Sequence, residues 1–258
     1  GQLYWLKAYK IPDASRQSAG KAIVNLLELD ADEKINAIIP VKEFDDKHYL
    51  VMATKSGTIK KTNLIEFSNP RKGGIAAINL DEETKDQLVN VVLTDGKQDI
   101  ILATAKGIAS RFNEEDVRST GRTSQGVRGI RLEENDNVIG MIIADDSQKI
   151  LTLTENGYGK MTEMTEYRKI NRGGKGVINI ICSERNGDVV AIAPVVDTDE
   201  IMLISKKGIL IRTECSQVST VGRNTQGVRI MKLAATDKAI NMTKVIKEEE
   251  KGTNLPTQ

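Results

Sequence analysis

Four stretches decide the fold: Leu50-Val-Met-Ala-Thr-Lys-Ser-Gly57, Ile100-Ile-Leu-Ala-Thr-Ala-Lys-Gly107, Ile150-Leu-Thr-Leu-Thr-Glu-Asn-Gly157 and Ile201-Met-Leu-Ile-Ser-Lys-Lys-Gly208. Each is an apolar run, then Thr or Ser, two residues, and Gly. The closing glycines lie 50, 50 and 51 residues apart. A fixed interval of this kind marks a chain built from stacked copies of one supersecondary unit. Gly1-Gln-Leu-Tyr-Trp-Leu6 carries the same anchor 56 residues before Gly57, with its preceding strand missing.

Working outward, each glycine sits in a short polar turn that needs φ > 0, which glycine adopts without a Cβ clash. The following runs, Thr58-Ile-Lys-Lys-Thr62, Ile108-Ala-Ser-Arg-Phe112, Tyr158-Gly-Lys-Met-Thr162 and Ile209-Leu-Ile-Arg-Thr213, read as second strands of hairpins. The pattern predicts strands over 50–54, 58–62, 100–104, 108–112, 150–154, 158–162, 201–205 and 209–213. A second anchor follows: Arg16-Gln-Ser-Ala-Gly20, Arg122-Thr-Ser-Gln-Gly126, Arg172-Gly-Gly-Lys-Gly176 and Arg223-Asn-Thr-Gln-Gly227. In the second copy, aligned on Gly74, Pro70 takes the arginine position and Arg71 is displaced by one. A third β-like run such as Val127 to Leu132 and a fourth such as Val138 to Ala144 complete the unit.

Four short strands per repeat make a blade, and repeated blades form a propeller-like disc with few exposed sheet edges. The expected class is all-β, with about five to six repeats of ~50 residues over 1–245, and a charged, then Pro- and Gly-bearing tail at 246–258. Aromatic residues are 3% of the chain, so the core falls to Ile, Leu, Val and Ala. No apolar run approaches the about 18 residues of a membrane span, and the N-terminus lacks a signal pattern. Cys182 and Cys215 stand alone, as buried thiols of a reducing cytosol would.

With 37 basic and 36 acidic residues, net charge gives no sign of a nucleic-acid binder. Such a function requires the basic residues to be segregated on one surface.

The repeats, with Leu3-Tyr-Trp-Leu-Lys7, Ala22-Ile-Val-Asn-Leu-Leu27, Thr152-Leu-Thr-Glu-Asn-Gly-Tyr-Gly-Lys160, Arg172-Gly-Gly-Lys-Gly176 and Gly222-Arg-Asn-Thr-Gln-Gly-Val-Arg229, resemble the C-terminal domain of the bacterial DNA gyrase A protein over roughly residues 1 to 245. The equivalent domain of topoisomerase IV is the close rival. The resemblance implies a β-pinwheel, a disc whose blades exchange strands, with duplex DNA bent around its rim. It implies a chiral DNA crossing for negative supercoiling by a cytoplasmic, ATP-dependent type II topoisomerase. ATP and Mg belong elsewhere in that enzyme, so no cofactor, metal or catalytic residue is expected here. The implied partners are double-stranded DNA and, in an A2B2 complex, the remainder of the gyrase A protein with the ATPase B protein. The isolated domain is expected to be monomeric. The family's basic heptapeptide, Gln-Arg-Arg-Gly-Gly-Lys-Gly, would lie upstream of Gly1. Ile170-Asn-Arg-Gly-Gly-Lys-Gly176 resembles it in a later blade, so the chain is read as starting inside blade one.

Candidate DNA contacts fall into three sets. The loop residues are Arg16, Arg71, Arg122, Arg172 and Arg223 with Lys21, Lys72 and Lys175. Their Gly, Ser, Thr, Asn and Gln neighbours offer amides and hydroxyls to phosphates beside the guanidinium; the plainer alternative is surface arginines paired with nearby acids. The hairpin residues are Lys60, Lys61, Arg111, Lys160 and Arg212, with edge-strand protection as their alternative. Arg128 and Arg229 extend the loop surface. Asp81-Glu-Glu83, Glu133-Glu134, Asp145-Asp146 and Asp197 to Glu200 are expected on another face. His48 is the sole histidine, which argues against zinc and a Ser–His–Asp triad. A propeller serving as a protein-interaction scaffold is the other function class. A glycan-binding or hydrolytic propeller would need a central pocket of carboxylates or aromatics, for which no repeated candidate exists.

Overall fold

The computed structural model describes residues 1–15, 17–29, 33–81 and 83–245, so the expected tail at 246–258 lies outside the described residues. In chain order the strands are β1 (Gln2–Leu3), β2 (Tyr49–Thr54), β3 (Thr58–Asn63), β4 (Ile75–Ala76), β5 (Leu88–Thr94), β6 (Asp99–Thr104), β7 (Ile108–Asn113), β8 (Val127–Arg128), β9 (Val138–Ala144), β10 (Lys149–Thr154), β11 (Tyr158–Glu163), β12 (Val177–Ile178), β13 (Val189–Val195), β14 (Glu200–Ser205), β15 (Leu210–Glu214), β16 (Val228–Arg229) and β17 (Ala239–Val245).

The Thr/Ser-x-x-Gly motif builds the hairpin turn. The glycine amide donates to the Thr or Ser carbonyl: Gly57 to Thr54 at 3.0 Å, Gly107 to Thr104 at 3.1 Å, Gly157 to Thr154 at 2.9 Å and Gly208 to Ser205 at 3.0 Å. The hydroxyl supplies a second tie across the same turn, as when Thr104 Oγ1 accepts the Ile108 amide at 3.2 Å. Ser205 Oγ does the same for Ile209 at 3.1 Å. The glycine then takes the left-handed conformation that closes a type I turn with a bulge.

Each blade is completed by its neighbour. The sheets run β5-β2-β3-β8, β12-β7-β6-β9 and β13-β10-β11-β16. The short strand after each Arg loop thus pairs with the hairpin one repeat earlier: β8 with β3, β12 with β7 and β16 with β11. β4 treats β1 in the same way. The turn-glycine carbonyl anchors the exchange. Gly57 O accepts the amides of Gly129 and Ile130, Gly107 O those of Asn179 and Ile180, and Gly157 O those of Ile230 and Met231. The last sheet, β15-β14-β17, has no such fourth strand among the described residues.

The core lies between blades, where one sheet face meets the next. Val51, Ala53 and Ile59 pack with Ile100, Leu102 and Phe112. Leu151, Leu153 and Met161 pack with Ile201, Leu203 and Cys215 in the same way. Each fully buried aliphatic or Phe side chain contributes about 1.5–3 kcal/mol. Trp5 serves this packing, its indole N–H donating to Phe67 O at 3.0 Å. The inner strands β5, β9, β13 and β17 pack on one another in that order, which leaves β8, β12 and β16 at the outer rim. The fold is therefore the all-β blade array that the repeat predicts, with the strand exchange that the family resemblance implies. The third run is shorter than expected, because only Val127–Arg128 of 127–132 pairs as strand.

Candidate nucleic-acid interface

The Arg loops are seated by sterics before charge enters. Each leaves its blade after a short 3-10 turn, such as Met164–Glu166, and crosses onto the preceding blade. Isolated parallel bridges mark the crossings: Lys61 with Ser119, Arg111 with Lys169 and Met161 with Thr220. The loop-closing glycine is pressed against the older hairpin. Gly227 has φ +73°, and a Cβ there would meet Gly159 O at 2.7 Å. The loop then runs into the outermost strand, so loop and strand together face outward at the rim.

Of the loop residues, Arg71, Lys72 and Lys21 are exposed, and Arg16 lies outside the described residues. Arg122 is half-buried, and its guanidinium makes no hydrogen bond or ion pair among the described residues. Arg172 lies across the third blade's edge, with Nε donating to Asp116 O at 2.9 Å and Nη1 to Arg128 O. Arg223 donates from Nη1 to Ile178 O at 2.9 Å and approaches Glu166 at 4.0 Å, and its Nε has no hydrogen-bond partner. Lys175 is exposed and meets Glu133 at 3.4 Å. Arg128 is exposed on β8, and Arg229 on β16 donates to Tyr158 Oη at 2.8 Å.

The hairpin set differs from expectation. Lys60 and Lys160 are 1% and 0% exposed, and their ammonium groups point into backbone carbonyls. Lys60 Nζ donates to Ala77 O at 2.6 Å and also to Arg122 O. Lys160 Nζ donates to Gly222 O at 2.7 Å and Arg223 O at 3.0 Å. Burial, reinforced by Arg122, pushes the Lys60 amine down to about 8. Burial also brings Lys160 to about 8, with Arg223 lowering it further and Glu166 opposing. Lys61 is buried too, donating to Glu114 O at 2.7 Å. Arg111 is held between Asp99 at 2.9 Å and Asp146 at 2.6 Å. Arg212 stays exposed but pairs with Glu200.

The physical reason is the strand exchange. Period-2 alternation gives an exposed face only where a strand has one. β3 and β11 are covered at the edge by β8 and β16 and on both faces by neighbouring blades. β15 has no following blade among the described residues, and its residues do alternate between exposed and half-buried. Lys60, Lys61 and Lys160 are thus fasteners beneath the rim, not contacts on it.

Two further corrections follow from the side-chain placements. The acids are not wholly on another face, since Glu133 sits against Lys175, Asp146 holds Arg111 and Glu200 holds Arg212. Arg118 and Arg168, both exposed where the loops begin, belong with the rim set. Their 50-residue interval was the signal that would have found them.

The exposed basic residues therefore recur along the outer edge of a repeated β-array, once or more per blade. Comparison with known proteins agrees with that architecture. The family model of the DNA gyrase C-terminal domain, a beta-propeller, matches residues 1–42, 48–95, 98–145, 148–195 and 199–245. The DNA gyrase A protein of Salmonella typhimurium is 48% identical over 245 residues, or 95% of this chain and 28% of that protein. That of Escherichia coli is 44% identical over the same shares. This chain thus spans under a third of the length of these relatives. Among solved structures, a DNA gyrase A C-terminal domain is matched with TM-score 0.82 and 31% identity over 95% of this chain and 80% of that one. The C-terminal domain of a DNA topoisomerase IV is matched with TM-score 0.84 and 28% identity over 92% and 74%. With the matched segments falling one on each of the five repeats, this chain belongs to the DNA gyrase C-terminal domain family.

Proposed function

We propose that the chain binds duplex DNA and bends it around the outer rim, as a domain of a type II topoisomerase without catalytic residues of its own. The observation that carries this reading is the repeated placement of Arg71, Arg122, Arg172 and Arg223, with Lys72, Lys175, Arg128 and Arg229, on the outermost loops and strands of successive blades, while Lys21 is exposed in the first repeat. Equivalent basic groups at regular steps suit a ligand whose charge also repeats regularly. Arg122, with no partner for its guanidinium among the described residues, is free to take a phosphate bidentately.

In the whole enzyme, DNA bent on the rim would fix the handedness of the crossing presented for strand passage, giving negative supercoiling. The remainder of the gyrase A protein, with the ATPase B protein, would supply cleavage and ATP chemistry with Mg in an A2B2 complex in the cytoplasm. The domain itself would be a monomer needing no cofactor. The near-equal structural likeness to a topoisomerase IV domain supports DNA-substrate selection as the second reading, while the 44–48% identity to gyrase A proteins favours the first.

The test is titration of duplexes of unrelated sequence at several salt concentrations. Log affinity should fall with log salt by about 0.9 per phosphate neutralised, losing orders of magnitude between about 50 and 200 mM. Affinity that barely responds to salt, or that depends on one base sequence, would contradict the proposal.

A further inference from the structure

The fourth blade carries a group of side chains that the other blades lack. Tyr158 opens β11 and stands in register opposite Arg229 of β16. The Arg229 guanidinium lies 5.2 Å from the centre of the Tyr158 ring while its Nη2 donates to the phenol oxygen. Arg185, from the turn before β13, lies 4.8 Å from the same ring. Backbone ties hold that turn in place. Asn156 Nδ2 donates to Glu184 O at 3.1 Å and Arg185 O at 3.2 Å, and Asn186 Nδ2 donates to Gln226 O at 3.1 Å.

Two guanidinium groups thus converge on one small aromatic surface. Both arginines are exposed, and among the described residues neither meets a carboxylate; the arginine ion pairs there belong to Arg111, Arg212 and Arg223. The negative face of the ring orients a cation but does not neutralise it. Two like charges gathered at one ring repel each other, and an anion that meets both removes the repulsion. The planar forks of two arginines match the oxygens of a phosphate. The ring is particular to this copy, because Thr58, Ile108 and Ile209 stand at the corresponding place after the other turn glycines. Arg128, opposite Thr58 in the same register, has no such platform.

We propose that Arg185, Tyr158 and Arg229 form a seat for one phosphodiester of duplex DNA, beside the Arg loop of the fifth repeat and in addition to it. This rests on the rim-binding reading above. The seat makes the fourth blade grip the duplex at two points, where a loop alone offers one. The positive charge of Arg185 beside the ring, together with the hydrogen bond from Arg229, holds the phenol below its ordinary range. A phosphate that draws the guanidinium groups away should release that pull.

The experiment compares the unmodified protein, Arg185→Ala and Arg223→Glu in duplex titrations across a salt series. The seat predicts that Arg185→Ala weakens binding several-fold at about 100 mM salt and lowers the salt slope by about one unit. Wild-type affinity and slope in Arg185→Ala, with Arg223→Glu impaired, would overturn the seat and leave the rim reading standing. A salt-independent unmodified protein would sink the rim reading itself. A second measurement follows Tyr158 ionisation by ultraviolet absorbance, with Tyr158→Phe as the subtracted reference. Duplex should shift that ionisation to higher pH. A shift with inorganic phosphate but none with duplex would mark a seat for free anions only and overturn the proposal.

Discussion

At the scale of single residues, the turn glycines show two separable demands. Gly157 has φ +78°, and a Cβ there would lie 2.2 Å from Met231 O, on the segment exchanged in from the next repeat. Gly208 has φ +84° but nothing within 4 Å of the same position. Alanine at Gly208 should therefore cost only the backbone term, about 1–2 kcal/mol. Alanine at Gly157 adds a collision with backbone that cannot turn aside, so its cost should be clearly larger. Thermal melts of the two variants should separate, with Gly157→Ala the lower. Equal melting points would mean that the exchanged segment yields easily. The need for glycine was legible from spacing alone. The second demand was not, because it comes from a carbonyl 74 residues further along the chain.

At the scale of elements, the buried lysines tie the Arg loops to the preceding blade. Removing the Lys160 ammonium leaves the part-buried Gly222 O and Arg223 O without it, a cost of at most about 1–3 kcal/mol. Lys160→Met should lower stability accordingly, read from denaturant midpoints. The pH dependence has a definite sign. Lys60 and Lys160 titrate near 8 in the fold, and an unfolded lysine near 10.4. Between those values the unfolded chain binds more protons, so their contribution to unfolding free energy rises with pH. Burial pushes the thiols of Cys182 and Cys215 up to about 11, which works in the opposite direction over part of that range. The difference between wild type and Lys160→Met isolates the lysine, and the stability advantage of wild type should grow from pH 7.5 to 9.5. A constant difference would mean that Lys160 titrates normally.

Strand positions were largely readable at this scale. The expected 150–154 and 158–162 emerge as Lys149–Thr154 and Tyr158–Glu163, because apolar runs and turn residues act locally. The fate of Lys60, Lys61 and Lys160 was not readable. It depends on which strand covers which edge, and a pattern within one repeat does not encode its neighbour. The Arg loops were legible as a set through their period. The partners that hold Arg172 and Arg223 to the adjoining blade come from distant segments and were not.

At the scale of the whole molecule, the blades present their outer loops to a common rim while the inner strands pack together. Bending a duplex of tens of base pairs through 40–90° costs on the order of 1–6 kcal/mol, so several contacts at successive points must offset it. Arg122 and Arg223 sit on different blades, and their effects on binding should approach additivity. They differ in what else they do. Arg223 is bonded to Ile178 O and faces Glu166, whereas Arg122 has no such partner among the described residues. Arg223→Glu should therefore lower the melting point more than Arg122→Glu, while each weakens duplex binding and reduces the salt slope by about one unit or slightly more. Slopes unchanged in both variants would place the DNA elsewhere on the molecule.

The measurement that bears most directly on the rim is energy transfer between dyes at the two ends of a short duplex, recorded with wild type and with the folded Arg122→Glu/Arg223→Glu double variant. Wild type should bring the ends together, and the double variant should lose that gain even at protein concentrations where it still binds. A straight duplex with saturating wild type, or full bending by the folded double variant, would contradict the account.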